Sequence, residues 1–196
     1  MKIGVLSVQG NVDEHVAAME RALKKTETKG EVLEIKRKED FEAISALILP
    51  GGESTTMGKL LVRYGVDEEI KKLALAGKPI MATCAGMILL AKEGNSQVQK
   101  TKQPLLNLLD VKVNRNAFGR QRESFEVPLK IEDVGEDYPA VFIRAPAVDK
   151  VWGNAKILAK HKEKIVAIQQ DNILGLSFHP ELTKDTRVHE YFLGLI

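Results

Sequence analysis

The chain has 196 residues, 44% hydrophobic and 29% charged, with one cysteine and a formal net charge of +2. That length suits a single domain, residues 1–196, with a core of its own. The balanced charge gives no argument for a nucleic-acid or acidic-surface partner, and no stretch approaches the ~20 apolar residues of a membrane span; neither a nucleic-acid nor a membrane partner is expected. A lone cysteine excludes an internal disulfide and a cysteine-built metal cluster, and suits a reducing cytoplasmic setting.

The opening Met1-Lys2-Ile3-Gly4-Val5-Leu6 looks at a glance like a signal peptide. Its apolar run stops at Val8 and Gln9, too short for an h-region, and no cleavage site follows. Ile3 to Val8 reads instead as a buried strand, turned by Gln9-Gly10-Asn11. Asn11 with Glu14 resembles a capping box, and Val12, Val16, Met19 and Leu23 mark one helix face. Val32 to Ile35 and Ala46 to Leu49 read as strands, the latter ending in Pro50-Gly51-Gly52-Glu53-Ser54. Ser54 is the expected cap of a helix whose face is Met57, Leu60, Leu61 and Tyr64. A further helix runs from about Asp67 to Ala76, stopped by Gly77 with Pro79 beyond.

Ile80 to Thr83 is then a short buried strand, and Ala85 to Ala91 an apolar stretch without strand alternation, read as a helix packed all round. Glu93 to Pro104 is polar and reads as a mobile loop. Asn107 to Val113, Ser124 to Ile131, Ala140 to Arg144, Ala155 to Ala159, Ile165 to Gln170 and Ile173 to Phe178 read as short strands, the expected antiparallel additions to the sheet. A last helix turns Val188, Tyr191, Phe192 and Leu195 inward. The strand–helix alternation of the first half predicts an α/β fold: three layers, a mostly parallel central sheet, helices on both faces. Ligands bind such sheets outside the carboxyl ends of the strands. Gln9-Gly10, Gly51-Gly52 and Cys84 all fall there.

Cys84 stands at the join of strand and helix, with Ala82 two before it and Gly86 two after. A nucleophile elbow needs small residues at those places, and the helix start beside it favours thiolate. The alternative is a buried structural cysteine. A cysteine nucleophile needs a base, and the base an orienting group. In His179-Pro180-Glu181 the proline holds His179 extended, which predicts imidazole and carboxylate on one side of the chain; the alternative is an ordinary turn. His15 on the first helix, His161 in a charged turn and His189 on the last helix read as surface or packing residues rather than bases. Oxyanion donors are available from the backbone of Gly51, Gly52 and Ala85, with Gln9 in support, although Gly51-Gly52 alone reads better as a tight turn.

Cys84 on an elbow, Gly51-Gly52 and the late His179-Pro180-Glu181 together resemble the triad (class I) glutamine amidotransferases, flavodoxin-like in fold. More specific blocks are Leu6 to Gly10, Leu49 to Met57, Thr83 to Gly86, Arg115 to Gln121, Phe142 to Pro146 and Ser177 to Thr183. Together they resemble the family of glutaminase subunits of pyridoxal 5′-phosphate synthases. One departure is Ala82, where the broader family has glycine. The resemblance implies that Cys84 attacks the side-chain amide of L-glutamine, that His179 moves the proton, and that Glu181 orients His179. It implies glutamine contacts from Gly52, Glu53, Ser54, Arg115, Ile143 and Arg144, and it calls for no cofactor or metal. Arg115, Arg144 and Glu53 also suit a zwitterionic substrate on charge alone. The implied partner is a barrel-shaped synthase subunit, twelve copies of each, which takes the ammonia and builds the vitamin from ribose 5-phosphate and glyceraldehyde 3-phosphate. Two other readings stay open: the glutaminase of imidazole glycerol phosphate synthase, which shares the triad, and a non-enzymatic elbow-cysteine binding or stress module. The resemblance gives Ser96 to Gln103 no role.

Overall fold

The computed structural model describes residues 1–119 and 124–196; Arg120 and Gln121, part of the Arg115 to Gln121 block, lie outside them. Four parallel strands come first: β1 (Lys2–Leu6), β2 (Glu31–Ile35), β3 (Ala46–Leu49) and β4 (Ile80–Thr83). Every residue of β3 and β4 is buried, as expected of strands covered on both faces. Side chains alternate between two cores: Leu47 and Leu49 enter one, Ala46 and Ile48 the other. The first core is closed by α2 (Ser54–Tyr64), α3 (Val66–Leu75) and α4 (Ala85–Leu90), the second by α1 (Val12–Lys25) and α6 (Arg187–Leu193). This is the predicted three-layer arrangement.

The strand order is β2-β1-β3-β4-β12-β11-β9-β6-β5, with β10 paired to β11. β12 (Ile173–Leu176) lies parallel to β4, and β11 (Lys164–Gln170) turns the sheet antiparallel. β5 (Ala91–Gly94), β6 (Leu109–Asn114), β9 (Ala147–Val151) and β10 (Lys156–His161) complete the antiparallel half, although β5 and β6 run parallel to each other.

Some expectations need correction. β7 (Phe125–Ile131) and β8 (Gly135–Phe142) do not add to the main sheet; they form a two-stranded sheet of their own. Its inward residues Leu129, Tyr138, Ala140 and Phe142 pack into the core beneath α1 and α6. A strand's periodicity names its buried face but not its pairing partner. The polar stretch after Glu93 is no open loop: it closes β5 and forms α5 (Ser96–Thr101), capped by the Asn95 side chain on the Val98 N–H. Among the described residues no helix is long and apolar enough to cross a membrane.

Candidate active site

Cys84 connects β4 to α4 with φ 48° and ψ −104°, a backbone that a residue with a side chain rarely adopts. Small neighbours permit it. A Cβ on Gly86 would lie 2.5 Å from the Leu49 carbonyl oxygen, and Ala82 is in register between Leu49 and Gly175 on the flanking strands. The Cys84 N–H donates to the Leu176 carbonyl at 2.7 Å, which ties the turn to β12. The side chain opens on a cavity of about 400 Å³.

His179 follows β12, its own N–H held by the Val141 carbonyl of β8 at 2.8 Å. Its Nδ1 lies 2.7 Å from Glu181 Oε1, both side chains being buried. The expected extended geometry is not met: His179, at φ −109° and ψ 86°, avoids the helical region as its proline requires but falls short of an extended strand, and Glu181 sits in a 3-10 turn, Pro180–Leu182, so it is the turn that brings the carboxylate to the ring. Among the described residues Nε2 has no hydrogen-bond partner, and the thiol donates at 3.9 Å to the Ile143 carbonyl. Ring and thiol are nonetheless neighbours: a Cβ on Gly51 would lie 2.6 Å from His179 Cε1 and 3.4 Å from Cys84 Cβ. Burial opposes the imidazolium, but Cys84 and the Glu181 carboxylate outweigh it and raise the His179 pKa. Burial also opposes ionisation of Glu181, yet the His179 hydrogen bond and the two adjacent histidines, His15 and His179, hold its pKa below the usual carboxylate range. A sulfur, an imidazole and a carboxylate so disposed at a cavity mouth can carry out acyl transfer.

The family model described as SNO glutamine amidotransferase matches residues 5–196. The chain belongs to this family. It is 56% identical to the "Pyridoxal 5′-phosphate synthase subunit PdxT" of Archaeoglobus fulgidus over 100% of this chain and 98% of the relative. With the protein of the same name from Thermococcus kodakarensis the identity is 52%, over 98% of each chain. A solved structure, "Crystal structure of glutamine amidotransferase", superposes with a TM-score of 0.87 at 44% identity, covering 98% of this chain and 97% of the other. "Structure of PurLQS from Thermotoga maritima" matches at a TM-score of 0.68 and 18% identity over 98% and 97%, a likeness of fold alone.

The family's expected contacts converge. Gly52, Glu53, Ser54, Ala85, Arg115 and Arg144 line the Cys84 cavity. Ile143 does not; its carbonyl faces the sulfur while its side chain is exposed. Gly51 lies against the His179 ring. Gln9 Oε1 accepts the Glu53 N–H at 2.9 Å and so fixes the segment carrying Gly51 and Gly52. Glu53 and Arg115 are paired with each other.

Glu53, not Ser54, caps α2: its carboxylate accepts from the Thr55 and Thr56 N–H groups at 3.0 and 2.8 Å. Ser54 is the first helical residue and donates its hydroxyl to Gln103 Oε1 at 3.0 Å. Partial burial opposes the Glu53 charge, but bonds from Thr56 and Thr55 bring its pKa down to about 2. A depressed carboxylate stabilises the fold fully above its unfolded pKa and loses that contribution as pH falls. Glu53→Ala is therefore expected to cost about 1 kcal/mol at pH 7, with the difference from wild type shrinking as pH falls below the unfolded value of 4.5 towards 2. Urea denaturation at pH 7 and at pH 3.5 checks it.

Asn11 forms no capping box on α1; its amide donates to Glu181 Oε1 at 3.3 Å. His15 and His189, read as surface or packing residues, are fully buried, and His15 Nε2 lies 3.0 Å from Thr83 Oγ1 and 3.4 Å from Glu181 Oε2. His161 ends β10 beside Phe118, Phe125 and Phe142. The Ser96 to Gln103 segment reaches the site too: Gln97 and Thr101 line the cavity. The signal for His15 was present, since it falls between Val12 and Met19 on the apolar face of α1.

Proposed function

We propose that residues 1–196 act as one glutaminase domain, hydrolysing L-glutamine to L-glutamate and supplying ammonia to a partner synthase subunit that makes pyridoxal 5′-phosphate. Cys84 passes its proton to His179, and the sulfur attacks the side-chain amide carbon of glutamine. Glu181 holds the ring by Nδ1, so that Nε2 is the atom that moves the proton. The oxyanion is met by backbone N–H groups of Ala85 and the Gly51-Gly52 segment, with Gln9 in support. As the carbon–nitrogen bond breaks, His179 returns the proton to the leaving nitrogen, and ammonia departs. Water, deprotonated by the same ring, then cleaves the thioester and frees glutamate. Arg144 and the paired Glu53 and Arg115 hold the substrate's charged end, with Gly52, Ser54 and the Ile143 backbone beside it. The assembly has twelve copies of each subunit and works in the cytoplasm.

The observation that carries this reading is the convergence of Cys84, His179 and Glu181 beside one cavity. The full-length likeness to synthase subunits supports the partner over imidazole glycerol phosphate synthase. The test is ammonia release from glutamine with the chain alone, with the pyridoxal 5′-phosphate synthase barrel, and with the imidazole glycerol phosphate synthase barrel. Stimulation by the first barrel only is expected; stimulation by the second only overturns the assignment of the partner.

A further inference from the structure

Behind the carboxylate of Glu181 lies His15, whose side chain no step above uses. It comes from α1 and directs Nε2 at Thr83 Oγ1, 3.0 Å away, and at Glu181 Oε2, 3.4 Å away. Its Nδ1 has no partner among the described residues. His189, from α6, stands beside it with ring centroids 6.5 Å apart, and among the described residues neither His189 nitrogen has a partner. The titratable groups around His15 are thus Glu181 and His179 after β12, His189 on α6 and Glu14 on its own helix, with Arg21 and Glu190 farther out around His189.

The hydrogen placement follows from these surroundings. Burial outweighs the nearby Glu181 charge and holds the His15 pKa below its ordinary value; burial also holds His189 down to about 3. A neutral imidazole carries one N–H. On Nδ1 it would be a buried donor without an acceptor, the costly arrangement. On Nε2 it has two oxygens within reach. Glu181 shows the complementary need. Oε1 is served by His179 at 2.7 Å and Asn11 at 3.3 Å, whereas buried Oε2 makes no hydrogen bond among the described residues and has His15 Nε2 beside it at 3.4 Å.

We propose that neutral His15 is a positioning residue: its Nε2–H, anchored at Thr83 Oγ1, faces the otherwise unbonded Glu181 Oε2 and restrains the carboxylate so that Oε1 meets His179 Nδ1. This rests on the glutaminase reading above and extends it one residue deeper. An outer group that orients the orienting group is a recurrent device of built sites, and a small misplacement of a base is costly in rate. Losing the hold on Glu181 loosens its bond to His179, which removes part of what raises the His179 pKa.

The test compares His15→Leu, which keeps bulk and loses the N–H, with His15→Gln, whose side-chain amide restores a donor. Glutamate release is followed across pH with the synthase partner present, and ¹⁵N imidazole spectra are recorded on the wild-type protein. His15→Leu is expected to lose about tenfold in kcat at a KM within about twofold. Its alkaline limb moves to lower pH by about half a unit or more, and His15→Gln recovers most of both. The wild-type spectrum is expected to show a neutral His15 protonated on Nε2 above pH 7. An unchanged rate and pH profile in His15→Leu overturns the inference, as does equal impairment in both variants or a His15 that is cationic or protonated on Nδ1. If His15→Leu does not fold, the spectrum and the His15→Gln profile decide. An unaffected His15→Leu beside an inactive Cys84→Ala removes this inference alone; a fully active Cys84→Ala removes the glutaminase reading beneath it.

Discussion

Cys84→Ala is expected to abolish glutamate release, by on the order of 10⁴-fold or more, while leaving association with the synthase partner intact. The chain contains no second cysteine, so no other thiol can form the thioester. Alanine keeps the Cβ and the backbone demands of the elbow, φ 48° included, and removes only the sulfur. The turn remains held by the Cys84 N–H bond to Leu176 and by the packing of Gly86 under Leu49. The structural cost is therefore small, and the effect falls on chemistry. Glutamate production and co-sedimentation with the partner separate the two. A variant that keeps full activity defeats the assignment.

Gly51→Ala is the second large effect and needs no catalytic group to be removed. The added Cβ would stand 2.6 Å from His179 Cε1, closer than carbon atoms can pack, and a tight 3.2 Å from Nδ1. The ring must swing, and the 2.7 Å bond to Glu181 swings or breaks with it. Displacing a base by roughly 1 Å costs on the order of 10²-fold in rate, and overpacking a buried site costs about 1–3 kcal/mol in stability. The expected result is a large fall in kcat with a modest fall in melting temperature. Steady-state kinetics together with thermal denaturation check it, and wild-type kcat in this variant contradicts the placement of the ring against Gly51.

Much of this arrangement was readable from residue order because it is local. Ala46 to Leu49 and Ile80 to Thr83 are apolar runs of strand length, and both strands have those bounds in the structure. The elbow was legible from Ala82, Cys84 and Gly86, since a tight turn leaves no choice but small neighbours. What escaped depends on partners distant in the chain. Asn11 looked like a helix cap, but a carboxylate from the far end of the sequence takes its amide. Ser54 looked like a cap, but Glu53 has the longer reach and meets two N–H groups at once. His15 occupied an apolar face without an evident reason, because its reasons are Thr83 and Glu181. The polar run at Ser96 to Thr101 has no wide apolar face to announce a helix, only Val98 turned inward.

Cys84 and His179 follow neighbouring strands, β4 and β12, in the middle of a ten-stranded sheet rather than at its rim. Central strands are the last part of a fold to open in thermal fluctuation. Warming therefore does not dismantle the reactive pair ahead of the rest of the molecule. The placement of Cys84 beside His179 is expected to persist up to the unfolding transition.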